Sequence, residues 1–104
     1  MNVQQYLLVC MAEELAEVQQ EISKCLRFTP NHTPTDIYTT SNVERVGLEM
    51  ADVYAITSLL NETGLDVGIE IPERMTPDLA YRFLQKKIKT VDLMKVSRKL
   101  GALS

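Results

Sequence analysis

Apolar residues recur at three- and four-residue spacings in three long stretches of this chain, and the intervals between them read as connections. In the first stretch Val3, Leu7, Cys10/Met11, Val18, Ile22 and Cys25 mark one face of an amphipathic helix. Asn2 is a suitable N-cap with Gln5 at the reciprocal capping-box position, and Pro30 stops the helix. Residues 29–40 (TPNHTPTDIYTT) form a loop by composition. Ser41-Asn42-Val43-Glu44 fits S-x-x-E and opens a second helix, which runs to Glu62 or Thr63 and ends at Gly64, a residue suited to the left-handed position after a helix. Residues 64–75 are a second connection, and its 67–71 stretch is compatible with either a short strand or a turn. Thr76 caps a third helix with Pro77 at its first position; Leu79, Phe83, Leu84, Ile88, Val91 and Met94 carry it to Leu100 before Gly101. A break near 90–92 would make four helices. The pattern predicts one all-α domain over 1–104, an antiparallel helical bundle of three to four helices, completed by dimerisation.

The polar residues inside those faces carry the chemistry. Glu14, Glu17 and Glu21 flank the apolar stripe of the first helix instead of opposing it. In the second helix Leu48, Val53, Ile56, Leu59 and Leu60 define an apolar face about 140° wide, and Glu49 and Asp52 fall inside it. A carboxylate among core residues is costly unless paired, protonated or bound to a cation. Two of them three residues apart also repel each other. Arg45, four residues before Glu49, offers an ion pair, but one guanidinium does not neutralise four acids. Mg²⁺ or Mn²⁺, hard ions that take carboxylate oxygens, would. An exposed acidic face on the first helix with a buried ion pair on the second is the competing reading. On the third helix Lys87 falls in the stripe of Leu79, Ala80, Phe83, Leu84 and Val91, where it snorkels to the rim, reaches a phosphate or pairs with the acidic cluster. Lys86 and Lys89 point elsewhere, into solvent.

Composition narrows the classes. At 45% hydrophobic and 24% charged the chain is ordinary for a globular domain and not for a disordered one. A net charge of −3 supplies no basic footprint for a nucleic acid polymer. No stretch approaches the apolar length of a membrane span, and a cytoplasmic location is expected. Two cysteines, Cys10 and Cys25, read as reduced apolar residues. The single histidine, His32, leaves no basis for a zinc site, a di-iron Glu-x-x-His pair or a Ser-His-Asp system. Nor is there a G-x-x-x-x-G-K-[ST] or G-x-G-x-x-G loop.

Glu13-Glu14-Leu15-Ala16-Glu17, followed after a loop by Leu48-Glu49-Met50-Ala51-Asp52, resembles the EExxE…ExxD signature of the MazG-like all-α nucleoside triphosphate pyrophosphohydrolases. The match covers residues 3–63, and the remainder only by helical pattern. The resemblance implies that Glu14, Glu17, Glu49 and Asp52 hold Mg²⁺. It also implies cleavage of nucleoside triphosphates between the α- and β-phosphates to monophosphate and pyrophosphate. In this frame Glu21 is the candidate general base that orients water, and Lys87 the candidate phosphate contact. Many relatives carry Lys followed four residues later by Asn in the last helix; here Lys87 is followed by Val91. Tyr38 and Phe28 are candidates for stacking on a base. The far side of the second helix, with Val43, Gly47, Met50, Ala51, Tyr54 and Ser58, is small and apolar enough for close packing, so a homodimer is expected and a homotetramer is compatible. Two alternatives remain open: a catalytically degenerate helical module that binds a nucleotide or a protein, and a structural dimerisation domain whose acids are only solvated and paired.

Overall fold

A computed structural model describes residues 1–31 and 40–104. Among them are three helices and no strand: α1 (Val3–Phe28), α2 (Asn42–Glu62) and α3 (Pro77–Lys99). The helix starts follow the capping chemistry. Asn2 accepts from the Gln5 amide at 2.8 Å while the Gln5 side chain accepts from the Asn2 amide at 2.9 Å. The Ser41 hydroxyl accepts from the Glu44 amide at 3.3 Å; the return contact is hydroxyl to carboxylate, not carboxylate to the Ser41 backbone. Thr76 caps α3, with Pro77 in its first turn. Gly64 and Gly101 follow the ends of α2 and α3 with φ of 90° and 82°, a conformation glycine takes without strain. Helix α3 runs unbroken through 90–92, so the number of helices is three and not four among the described residues.

Leu7 and Met11 of α1 pack on Ile56, Leu59 and Leu60 of α2. Further along, Glu21 of α1 meets Arg45 of α2. Rising numbers on α1 meet falling numbers on α2, so these two helices are antiparallel. Helix α3 is also antiparallel to α1, with Lys86 beside Glu14 and the Met1 ammonium donating to the Ala102 carbonyl. The antiparallel expectation fails between α2 and α3. Gly47 faces Leu79, Asp52 meets Arg82 and Glu62 meets Lys87, so numbers rise together and the two helices run in the same general direction. The reason lies in the connection. A 21-residue helix is about 31 Å long, and the segment after it is long enough to travel back along that length when extended. Its side chains alternate: Leu65, Val67, Ile69 and Ile71 are half-buried, while Asp66, Gly68 and Glu70 are exposed. Leu65, Val67 and Ile69 thereby cover the core although no strand forms.

Helix α2 is the middle element, packed against α1 on one side and α3 on the other. Ala51, Val53, Ala55, Ile56, Leu59 and Leu60 are all buried. Its apolar far side, read from sequence as a dimer surface, is in part covered from within the chain: Ala51 is buried, and a Cβ placed on Gly47 would sit 3.8 Å from Leu79 Cδ2. The rotation of α1 also differs from the pattern. Its buried positions are Leu7, Met11, Glu14, Val18 and Glu21. Ile22, read as core, is 47% exposed, and Glu21 takes the buried position beside it.

Replacing Ile56 with alanine removes a fully buried side chain at the α1–α2 contact, and urea unfolding should show a loss of about 3 kcal/mol. Leu26→Ala, at a position 84% exposed, should change stability by less than about 0.5 kcal/mol. Equal effects would mean that α1 faces the core differently.

Candidate metal centre

Heptad-like spacing on α1 places Glu14 in line with Leu7, Met11 and Val18, and therefore against α2. Asp52 and Glu49 stand one turn apart on the facing side of α2. Antiparallel packing then brings the pairs together: Glu14, Glu17, Glu49 and Asp52 each present a carboxylate oxygen, and these oxygens all lie within 4.8 Å of one another. Glu14 is 4% and Asp52 3% exposed, whereas Glu17 lies at the open rim. The four acids singled out in the sequence therefore form one cluster.

The bases that face the cluster come from α3 and were not read from the sequence. Arg82 grips Asp52 with two hydrogen bonds, Nε to Oδ1 and Nη2 to Oδ2, each 2.8 Å, and Nη2 reaches Glu49 Oε1 at 3.3 Å. Lys86 contacts Glu14 Oε1 directly. Lys86 is thus no solvated surface residue. Lys87 is rotated about 100° further round the helix. Its Nζ lies 3.2 Å from Glu62 and 5.7 Å from the centre of the Phe83 ring, so the structure does not bring it to the acids. The available signal was the spacing of Arg82, Lys86 and Lys89, which at i, i+4 and i+7 share one face of α3.

Arg45, expected beside Glu49, reaches across to α1 instead. Its Nε and Nη2 donate to the two oxygens of Glu21 at 3.2 and 3.3 Å, and Lys24 adds a third bond at 3.2 Å. Glu21 is therefore a clamped carboxylate one turn beyond the cluster. Burial pushes its pKa up, but the bonds from Arg45 and Lys24 outweigh that and hold it below the ordinary value, which makes it a weak proton acceptor. Phe28 lies half-exposed at the end of α1 with the Arg27 guanidinium over its ring at 5.3 Å. His32 and Tyr38 lie outside the described residues.

Within the cluster four acids face two bases, and the imbalance shows. Burial, a shared hydrogen bond with Glu17 and the charge of Asp52 raise Glu49 to about 7 against the pull of Arg82. Glu14 is raised as well, by burial first, with Asp52 and Glu17 adding to it and Lys86 opposing. Hydrogen bonding to Asp52 raises Arg82 despite burial. Burial disfavours the Lys86 charge, yet its bond to Glu14 and the charges of Asp52 and Glu17 raise it overall. With the carboxylates ionised, two buried oxygens, Glu14 Oε2 and Glu49 Oε2, receive no hydrogen bond from a donor among the described residues. Buried carboxylate oxygens are rarely left so, and a hard cation among these donors would satisfy both. Beside the cluster a cavity of 430 Å³ opens between Glu17, Asp52, Arg82, Gln85, Lys86 and Lys89.

No family model, curated protein or solved structure matches this chain.

The folded chain holds the Glu49 proton to about pH 7, whereas an unfolded glutamate releases it near 4.5. The folded state thus binds more protons in that window, and its stability falls as pH rises through it. The raised pKa of Glu14 acts in the same sense; the lowered pKa of Glu21 acts only below the window. Thermal melts in chelator should show the melting temperature dropping from pH 5 to 7, with a shallower drop in Glu49→Gln. A rise over that range would contradict the shared-proton arrangement.

Proposed function

We propose that this chain is a divalent-metal-dependent nucleoside triphosphate pyrophosphohydrolase, releasing pyrophosphate and a nucleoside monophosphate. The observation that carries the reading is the convergence of four carboxylates from two helices within 4.8 Å, with two buried oxygens given no donor by the described residues. The donor set is all hard oxygen, which fits Mg²⁺ or Mn²⁺ and not a soft metal. The order of the acidic motifs, EExxE before ExxD on successive helices, supports the MazG-like assignment.

Glu14, Glu17, Glu49 and Asp52 would hold the ion, which when bound neutralises phosphate charge and lowers the pKa of a coordinated water. Arg82, Lys86, Lys89 and Gln85 line the adjoining cavity and supply the donors for a phosphate chain, the role first given to Lys87. Glu21 acts in this reading as a positioning residue: through Arg45 it fixes α1 against α2, and with them the spacing of the two acidic pairs. None of the described helices is long and apolar enough to cross a membrane. Cys10 and Cys25 are free thiols, in keeping with a reducing cytoplasmic setting.

A panel of nucleoside triphosphates with Mg²⁺, products identified by mass, tests the activity. Monophosphate and pyrophosphate are expected, and Asp52→Asn should abolish turnover while keeping the helical circular-dichroism signal. At a hundredfold excess over its Kd, Mg²⁺ should stabilise the wild type by about 2.7 kcal/mol. Orthophosphate as the first product, or full activity in Asp52→Asn, would overturn the reading.

A homodimer belongs to the same proposal, on a surface other than the far side of α2. Leu8, Ala12, Leu15, Gln19, Ile22 and Leu26 follow one another at four- and three-residue steps along α1, and all are exposed. That is the spacing of a helix–helix seam, one residue out of phase with the stripe buried in the chain. Light scattering on a sizing column should give twice the 11.8 kDa chain mass, and Leu15→Glu with Ile22→Glu should give the monomer. A wild type that stays monomeric at high micromolar concentration would remove this part of the proposal.

A further inference from the structure

Both oxygens of Asp52 are occupied by Arg82, and Glu14 gives Oε1 to Lys86 while Oε2 stays buried with no donor among the described residues. A cation entering between the carboxylates shares Asp52 and Glu14 with these two bases, and its positive charge repels theirs at close range. Arg82 and Lys86 both stand on flexible stems from α3, and both line the 430 Å³ cavity beside the acids. They can leave the carboxylates by rotating about side-chain bonds, with α3 unchanged. A guanidinium and an ammonium parted from their carboxylates need other anions, because a half-buried charge without a partner is costly. A polyphosphate in the cavity supplies them, and a guanidinium grips phosphate in the same two-pronged way that it grips Asp52.

We propose that Arg82 and Lys86 are exchangeable counter-ions, released from Asp52 and Glu14 by the divalent ion and taken up by the substrate's phosphates, so that metal and polyphosphate strengthen each other's binding. The inference rests on the reading of the four acids as metal ligands. Either ligand alone meets an obstacle: the ion meets two positive charges held on the same carboxylates, and a phosphate chain meets bases already engaged by them. Bound together, each removes the other's obstacle, and the coupling is reciprocal.

Calorimetric titration with Mn²⁺, then with magnesium pyrophosphate at fixed excess Mg²⁺, tests this on the wild type, Arg82→Gln and Lys86→Gln. Each variant should bind Mn²⁺ severalfold more tightly than the wild type, since a competitor is gone. Each should bind magnesium pyrophosphate about tenfold or more weakly, having lost a charge-assisted hydrogen bond. This pair of opposite changes is the signature. Mn²⁺ affinity unchanged or weakened in both variants overturns the proposal, because bases that merely prop up the acids would weaken both ligands together. A readout on the unaltered protein guards against variants that do not fold: the Arg82 Nε–H nuclear magnetic resonance signal should move toward its free-arginine position on adding Mg²⁺. A stationary signal, with ion binding confirmed by a raised melting temperature, overturns the proposal while leaving the metal reading intact. No Mn²⁺ binding by the wild type or either variant removes the metal reading itself, and this proposal with it.

Discussion

Four carboxylates pressed together at the contact of α1 and α2 are the constraint around which the rest of this small fold is arranged. Like charges in a poorly hydrated interior repel strongly, and nothing in the apolar core around them relieves that repulsion. The chain answers in three ways at once. Arg82 and Lys86 are brought over from α3, Glu49 keeps its proton to near neutral pH, and Glu17 is left at the water-facing rim. Even so, two buried oxygens find no donor among the described residues. A fold selected only for stability would replace such a group with apolar residues of similar size, so its presence in the centre points to use.

Much of this was legible in the residues. Caps, prolines and glycines fixed the three helices to within a residue or two, because helix ends are decided by local chemistry. The acidic cluster was legible as well, since Glu49 and Asp52 sit where an apolar face leaves no room for solvated charge. What the pattern did not reveal was tertiary. Lys86 and Lys87 are neighbours in sequence, and which of them meets the acids depends on how α3 is turned about its axis. Arg45 has Glu49 one turn away on its own helix, yet it bonds to Glu21 on another. Propensity and periodicity carry no information about such choices; the rotation of one helix against the next makes them.

The direction in which α3 runs is set by the connection between α2 and α3. By returning extended along α2, it lets α3 run with α2 instead of against it, and brings the Arg82–Lys86 face to the acidic end of α2. A short turn would have reversed α3 and set its C-terminal half there. The half-buried side chains of Leu65, Val67 and Ile69 hold this return path to the core formed by Leu7, Met11, Ile56, Leu59 and Leu60.

The two stems of the connection between α1 and α2 are tied to each other before the connection proper begins. Asn42, fully buried, donates to the Thr29 carbonyl at 3.1 Å, and the Val43 amide donates to the Pro30 carbonyl at 2.9 Å. Thr29 accepts a positive φ of 73° at that junction, a strained setting for a β-branched residue. With the helix ends fastened at their base, the sliding of α1 along α2 does not depend on how many residues lie beyond the fastening. Lengthening, shortening or rewriting that connection should therefore leave the alignment of the acidic pairs undisturbed.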